Sequence, residues 1–543
     1  MHDLVIRNAL LLDGLGSPPV VSDLAACGGQ IVEVGRVKEN GKETIDADGL
    51  ALMPGIIDNH THYDAQITWD PRVAPSPALG VTTAVIGNCG FTIAPCRPAD
   101  RERVMRNLTQ VEGMSLDVLR AGIRWEFETF PQYLDMLARG GSAINIAAFI
   151  GHSSLRTYVM GDAATERAAT DPEIDAMKQL VAEGMRAGAV GFATSTSPAH
   201  NGEGGKPMPS RLADEKEIRE LAGCLGRGVF MLTKGGHTPI PFLEQLAADT
   251  GRPVVIAALL HNSTNPNAVF EDLSRIEEAN RRGHQLVGAV SCCPLSMDFT
   301  LHSPYVIEGL DAWRPALPLK GDAFRKIISS REFRNAIRSE LSRPAHFRLF
   351  NGEWGKVEVI ESKNKTFEQK SVAQLARDAG KDPLDFMLDL ALAEDLDTVF
   401  NALLLNSDEA AVGRMLRHPC SLVSLSDAGA HLTFFNDAGY GLHLLGHWVR
   451  ELKVLDIGTA VRKLTSEPAR IFGIRNRGAL KPGYHADLLL FDPAKVGRGP
   501  KHRVNDLPAG HGRLSTAALG VHGVWINGRA PDTLPGSLLR DFA

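Results

Sequence analysis

The stretch PGIIDNHTHYDAQ, residues 54–66, closes an apolar run with two histidines separated by a single threonine. Side chains two apart on a strand share one face. His60 and His62 can therefore carry both imidazoles to a single point, which is the chemistry of a chelating pair; the bland alternative is two polar residues where a strand emerges. Numbers alone favour neither, because 18 histidines in 543 residues yield roughly 0.6 His-x-His pairs by chance. Position is more informative. Other apolar runs also end in groups able to bind metal: GVTTAVIGNC at Cys89, AINIAAFIGH at His152, GVFMLTK at Lys234, PVVIAALLH at His261 and CSLVSLSD at Asp427. Asp427, at the end of the last run, matches His60 and His62 at the end of the first. Those three residues read as one metal position.

The elements that would bring these ends together follow from periodicity. Eight short apolar runs between LMPGIIDNH and CSLVSLSDAG alternate with stretches such as DPEIDAMKQLVAEGMRAG and EKEIRELAGCLGRG, whose apolar residues recur every three or four positions. Near-continuous apolar strands alternating with helices require a parallel sheet covered by helices. Eight such units predict a distorted (β/α)8 barrel over 54–476, with its chemistry at the C-terminal ends of the strands. The stretch of about 294–415 exceeds any simple crossover, so it predicts an inserted subdomain or lid before the last barrel strand, carrying Trp313 and Trp354. Both termini are short apolar runs cut by Gly and Pro, such as DLVIRNALLLDG and GVHGVWINGRAP. They predict a small β-sandwich domain assembled from 1–53 plus 477–543.

Composition narrows the partner. A net charge of -6 leaves no basic footprint for nucleic acid. No apolar run approaches the ~18 residues of a membrane span, and the N-terminus has no signal-peptide pattern. Seven scattered cysteines do not form a secreted disulfide framework. The expectation is a cytoplasmic protein, open to homo-oligomerisation, acting on a small molecule.

PGIIDNHTHYDAQ, GVTTAVIGNCGFTIAPC, GHSSLR and SLSDAGAH, with the terminal β segments, resemble the amidohydrolase superfamily and within it the N-acyl-D-amino-acid deacylase group. The resemblance spans almost the whole chain. It implies a metal-dependent hydrolase using one or two divalent ions, usually Zn2+, with His60, His62 and Asp427 at one position and the Cys89 thiolate at another. Soft thiolate suits zinc. The chain departs from the pattern after strands five and six. LTKGGH has Lys234 where the group carries histidine, and AALLHNS has His261 displaced along its strand. Lys234 reads either as an ammonium partnering a substrate carboxylate or as a carbamate bridging metals; His237, beyond a Gly-Gly pair, is a substitute ligand or substrate contact. His152 and Arg156 of GHSSLR read as substrate contacts. The implied reaction is hydrolysis of a non-peptide C–N bond in an N-acyl amino acid or related amide, with Asp427 as general base and then acid. Rival readings are a lactone, cyclic imide or carbamate hydrolase on the same fold, or a catalytically silent binding protein. No G-x-S-x-G motif points to a serine hydrolase.

Overall fold

The computed structural model describes residues 1–345 and 348–543. Each of the eight apolar runs is a strand: β1 (Ile56–Asp58), β2 (Val81–Ile86), β3 (Asn145–Gly151), β4 (Gly191–Ser195), β5 (Val229–Thr233), β6 (Val254–Leu259), β7 (Leu286–Val290) and β8 (Ser421–Val423). They pair in sequence order as one curled parallel sheet. Most of their residues are fully buried, as both-sided burial of a parallel sheet demands. The seam between β1 and β8 is irregular. It closes just past the strand ends through a parallel bridge between Thr61 and Ala428, a bond from His62 N–H to the Ala428 carbonyl (2.8 Å) and one from Asn59 Nδ2 to the Val423 carbonyl (2.9 Å).

Helices cover the sheet where the periodicity places them. Asp171–Ala187 starts on a capping box between Thr170 and Glu173 and stops at Gly188, whose left-handed φ of 109° ends the helix. Glu215–Ala222 is capped by Asp214. The two termini share one seven-stranded sheet, built from five strands between His2 and Pro54 together with Leu488–Phe491 and Val521–Trp525. Its apolar core contains Leu4, Ile6, Leu24, Ile31, Leu52, Leu488 and Trp525.

The chain divides into two compact units. The barrel and terminal sheet belong to the first. The second comprises Leu260–Glu271 and Cys293–Val412 and has its own antiparallel sheet of Leu295–Phe299, Val399–Leu405 and Val357–Glu361. Among the described residues, no helix is long and apolar enough to cross a membrane.

Candidate metal centre at the barrel mouth

His60 and His62 sit on the short extension of β1, both almost fully buried. The donor atoms of His60, His62 and Cys89 all lie within 4.8 Å of one another. Asp427 joins them from the turn after β8: its Oδ1 is 3.2 Å from His60 Nε2 and 3.6 Å from His62 Nε2. Cys89 Sγ is 3.6 Å from His60 Nε2.

Two tight turns deliver the thiol and the carboxylate. Cys89 has a left-handed φ of 58° inside the GNCG turn, and Asn88 Nδ2 ties that turn to the Val85 carbonyl at 2.8 Å. Gly90 is required there: a Cβ would lie 2.5 Å from the Ala193 carbonyl oxygen, at a φ of 76°. In SDAG, Asp427 has a φ of 47°, and Ser426 Oγ donates to the His60 carbonyl at 3.1 Å. Gly429 packs so closely on the segment that follows β1 that a Cβ would stand 2.7 Å from the His62 carbonyl carbon. The motif glycines thus set how near the two ligand-bearing turns come to their neighbours.

Electrostatics favours the anionic forms of both acidic donors. Burial pushes the Cys89 thiol up, but the charges and hydrogen bonds of His60 and His62 more than offset it, so the thiol is held below its ordinary value. Burial likewise opposes ionisation of Asp427, yet His62 and His60 hold it far below the usual carboxylate range. Two imidazoles and a thiolate-prone sulfur within 4.8 Å of one another, with a carboxylate beside both imidazoles, fit a soft-to-borderline divalent cation. One step back, burial pushes the Asp58 carboxyl up to about 7 against its bond from the His60 N–H.

The other residues singled out in the sequence lie in different settings. The Lys234 ammonium pairs with Asp272. It is Thr233, one residue earlier, whose Oγ1 approaches Cys89 Sγ at 3.2 Å. Neighbouring residues on a strand face opposite ways, so once Thr233 points at the cluster Lys234 points away from it. His237 is exposed on the following loop. His261 belongs to the second unit, where its N–H donates to Asn406 Oδ1 at 2.7 Å. His152 Nδ1 meets Thr194 Oγ1 at 2.7 Å and its Nε2 meets Glu217 at 2.8 Å. Arg156 pairs with the same carboxylate, and all three side chains are buried. Burial lowers the His152 imidazole despite Glu217. This network joins the helix His152–Met160 to the helix Glu215–Ala222.

Three further groups surround the centre. Glu112 Oε1 is 3.0 Å from His62 Nδ1. His200, on the loop after β4, rests edge-on against Phe91 and pairs through Nδ1 with Ser195 Oγ at 2.6 Å. Burial, partly opposed by Glu112, pushes its imidazole down to about 4. His431, four residues past Asp427, feels the charges of Glu112 and Asp427. His200 and His431 lie in irregular sequence, where no periodicity assigns a side chain to a face, and SLSDAGAH, which carries His431 beside Asp427, was the signal available there. Glu112 caps the helix Arg101–Val111 in step with its buried Leu108 and Val111.

Comparison with known proteins identifies the family and the fold. The amidohydrolase family profile matches residues 43–290 and 344–530. The chain is 30% identical over 538 residues to an N-acyl-D-aspartate deacylase of Alcaligenes xylosoxydans xylosoxydans, covering 97% of this chain and 91% of that protein. A D-aminoacylase crystal structure, described as defining a novel subset of amidohydrolases, aligns over the full length of both chains at a TM-score of 0.65 and 25% identity. The N-acyl-D-glutamate deacylase of Bordetella bronchiseptica, solved with zinc and a phosphonate inhibitor, shares the fold at a TM-score of 0.67 and 24% identity, over 99% of this chain and all of that one.

Proposed function

The chain belongs to the amidohydrolase family, and on that premise we propose that it is a zinc-dependent hydrolase of the amide bond in N-acyl amino acids. The convergence of His60, His62, Cys89 and Asp427 at the C-terminal mouth of the barrel carries the reading. The nearly full-length likeness to an N-acyl-D-aspartate deacylase supports the substrate class. The donor set supports zinc, since imidazole and thiolate together suit it better than a hard cation. Among the described residues, His60, His62 and Cys89 form the only such grouping with metal-ligand spacing, and Lys234 is taken up by Asp272; both observations support a single ion.

Bound there, zinc supplies Lewis-acid polarisation of the scissile carbonyl and lowers the pKa of the attacking water. The remaining steps fall to the chain. The Asp427 carboxyl is held far below its usual range by His62 and His60, and its side chain, 24% exposed, is by far the most open of the four. It accepts the proton from the attacking water and returns it to the leaving nitrogen. His60 and His62 hold its Oδ1 between their Nε2 atoms, at 3.2 and 3.6 Å. His152 and Arg156 act as scaffold, with Glu217 absorbing both. The seven free cysteines, including the one at the centre, suit a reducing cytoplasm.

The test is a panel of N-acyl-D- and N-acyl-L-amino acids, with lactones, cyclic imides and carbamates alongside, followed by release of the free amine or acid. Turnover of N-acyl amino acids is expected. Turnover confined to a lactone, imide or carbamate would replace the substrate assignment and keep the fold and centre.

A further inference from the structure

Glu112 stands out among the buried ionisable groups that the hydrolytic reading leaves unused. It follows the helix Arg101–Val111 as its C-cap, with a side chain only 3% exposed. A carboxylate buried to that degree needs compensating charge. Among the described residues no lysine or arginine pairs with it; its ion-pair partner is His62, through Nδ1 at 3.0 Å. Both atoms are shut off from solvent and make no hydrogen bond to any other described group, so the 3.0 Å approach is the pairing each has. The imidazole face is thereby divided, with Nδ1 toward Glu112 and Nε2 toward Asp427. The backbone of Glu112 does a second job: its carbonyl accepts the N–H of His431, on the turn that carries Asp427. The next residue, Gly113, leaves room for Phe434 of the same loop, whose ring a Cβ would meet at 2.6 Å.

We propose that Glu112 is a positioning residue of the metal centre: its carboxylate fixes His62 as the Nδ1–H tautomer so that Nε2 is the metal ligand, while its carbonyl anchors the loop of Asp427. A carboxylate behind a ligating imidazole both orients the ring and raises its basicity, and losing such a partner costs about 10–100-fold in metal affinity. The inference rests on the zinc reading above and is tested apart from it.

Zinc affinity of the full chain is measured by competition with a chelator for wild type, Glu112→Gln and Glu112→Asp. The Gln variant, nearly isosteric, is expected to bind zinc about 10–100-fold more weakly, with Asp intermediate. Excess zinc should restore most of the Gln variant's turnover, which a fold defect would not allow. Wild-type affinity in Glu112→Gln would overturn the inference and leave the zinc reading standing. A wild type that binds no zinc would end both. Independently of any variant, nitrogen-15 NMR of the histidine side chains in zinc-loaded wild type should find His62 protonated at Nδ1; a proton at Nε2 would also overturn it.

Discussion

At the scale of single residues, Asp427 and Lys234 make opposite predictions. Asp427 combines ligand distance with an open carboxylate, so Asp427→Asn should lower kcat by about 10²–10⁴ while the other three donors retain some zinc. Steady-state kinetics on a zinc-quantified sample checks this; undiminished turnover would move the proton transfer elsewhere. Lys234→Ala should leave the zinc content unchanged. The variant strands Asp272, but the lysine side chain is 27% exposed, and after allowance for solvent screening we expect a cost of only about 1 kcal/mol. Chemical denaturation reads the stability and elemental analysis the metal. Loss of metal in that variant would restore Lys234 as a ligand. The sequence could place Lys234 at a strand end but could not tell whether Thr233 or Lys234 takes the inward face. A one-residue shift in where the strand ends reverses every side chain.

At the scale of elements, the catalytic apparatus depends on turns that only glycine permits and on a buried charge network between helices. Gly90→Ala adds a Cβ against the Ala193 carbonyl in a left-handed turn. We expect a loss of about 1–3 kcal/mol together with weaker zinc binding, because Cys89 rides on the same turn; thermal melting and chelator competition measure the two. Glu217→Ala strands Arg156 and His152 in the interior and should cost about 3–5 kcal/mol while leaving zinc affinity near wild type. A variant of normal stability with a raised KM would instead make His152 and Arg156 substrate contacts. The eight barrel strands were legible because buried parallel strands must be almost wholly apolar, and short apolar runs bounded by Gly, such as GVTTAVIGNCG and AINIAAFIGH, alternate with helical periodicity. Glu112 and His200 were not legible: His200 lies in a loop without a period, and although Glu112 caps the helix Arg101–Val111, only the folded chain brings residue 112 behind residue 62.

At the scale of the whole molecule, the barrel gathers residues 60, 62, 89 and 427 from its first, second and last strands, so the bound ion ties the first turn of the barrel to the last. Zinc should therefore stabilise the chain as well as activate it. At a thousandfold excess over Kd, linkage predicts about 4 kcal/mol of added stability, seen as a zinc-dependent rise in Tm that His60→Ala abolishes. The closing contacts of the seam, Thr61 with Ala428 and His62 with Ala428, lie next to the ligands themselves. Sequence motifs at both ends of this seam announced the centre, because histidines and an aspartate at the first and last strands of a barrel have to meet.

The most direct measurement is a zinc titration of metal-stripped protein in which bound zinc and hydrolysis of an N-acyl amino acid are followed on the same samples. A single centre of His60, His62, Cys89 and Asp427 predicts that activity is absent at the start, rises in proportion to zinc and levels off at one equivalent per chain. Full activity in the metal-free protein, or activity that appears only with a second equivalent, would contradict it.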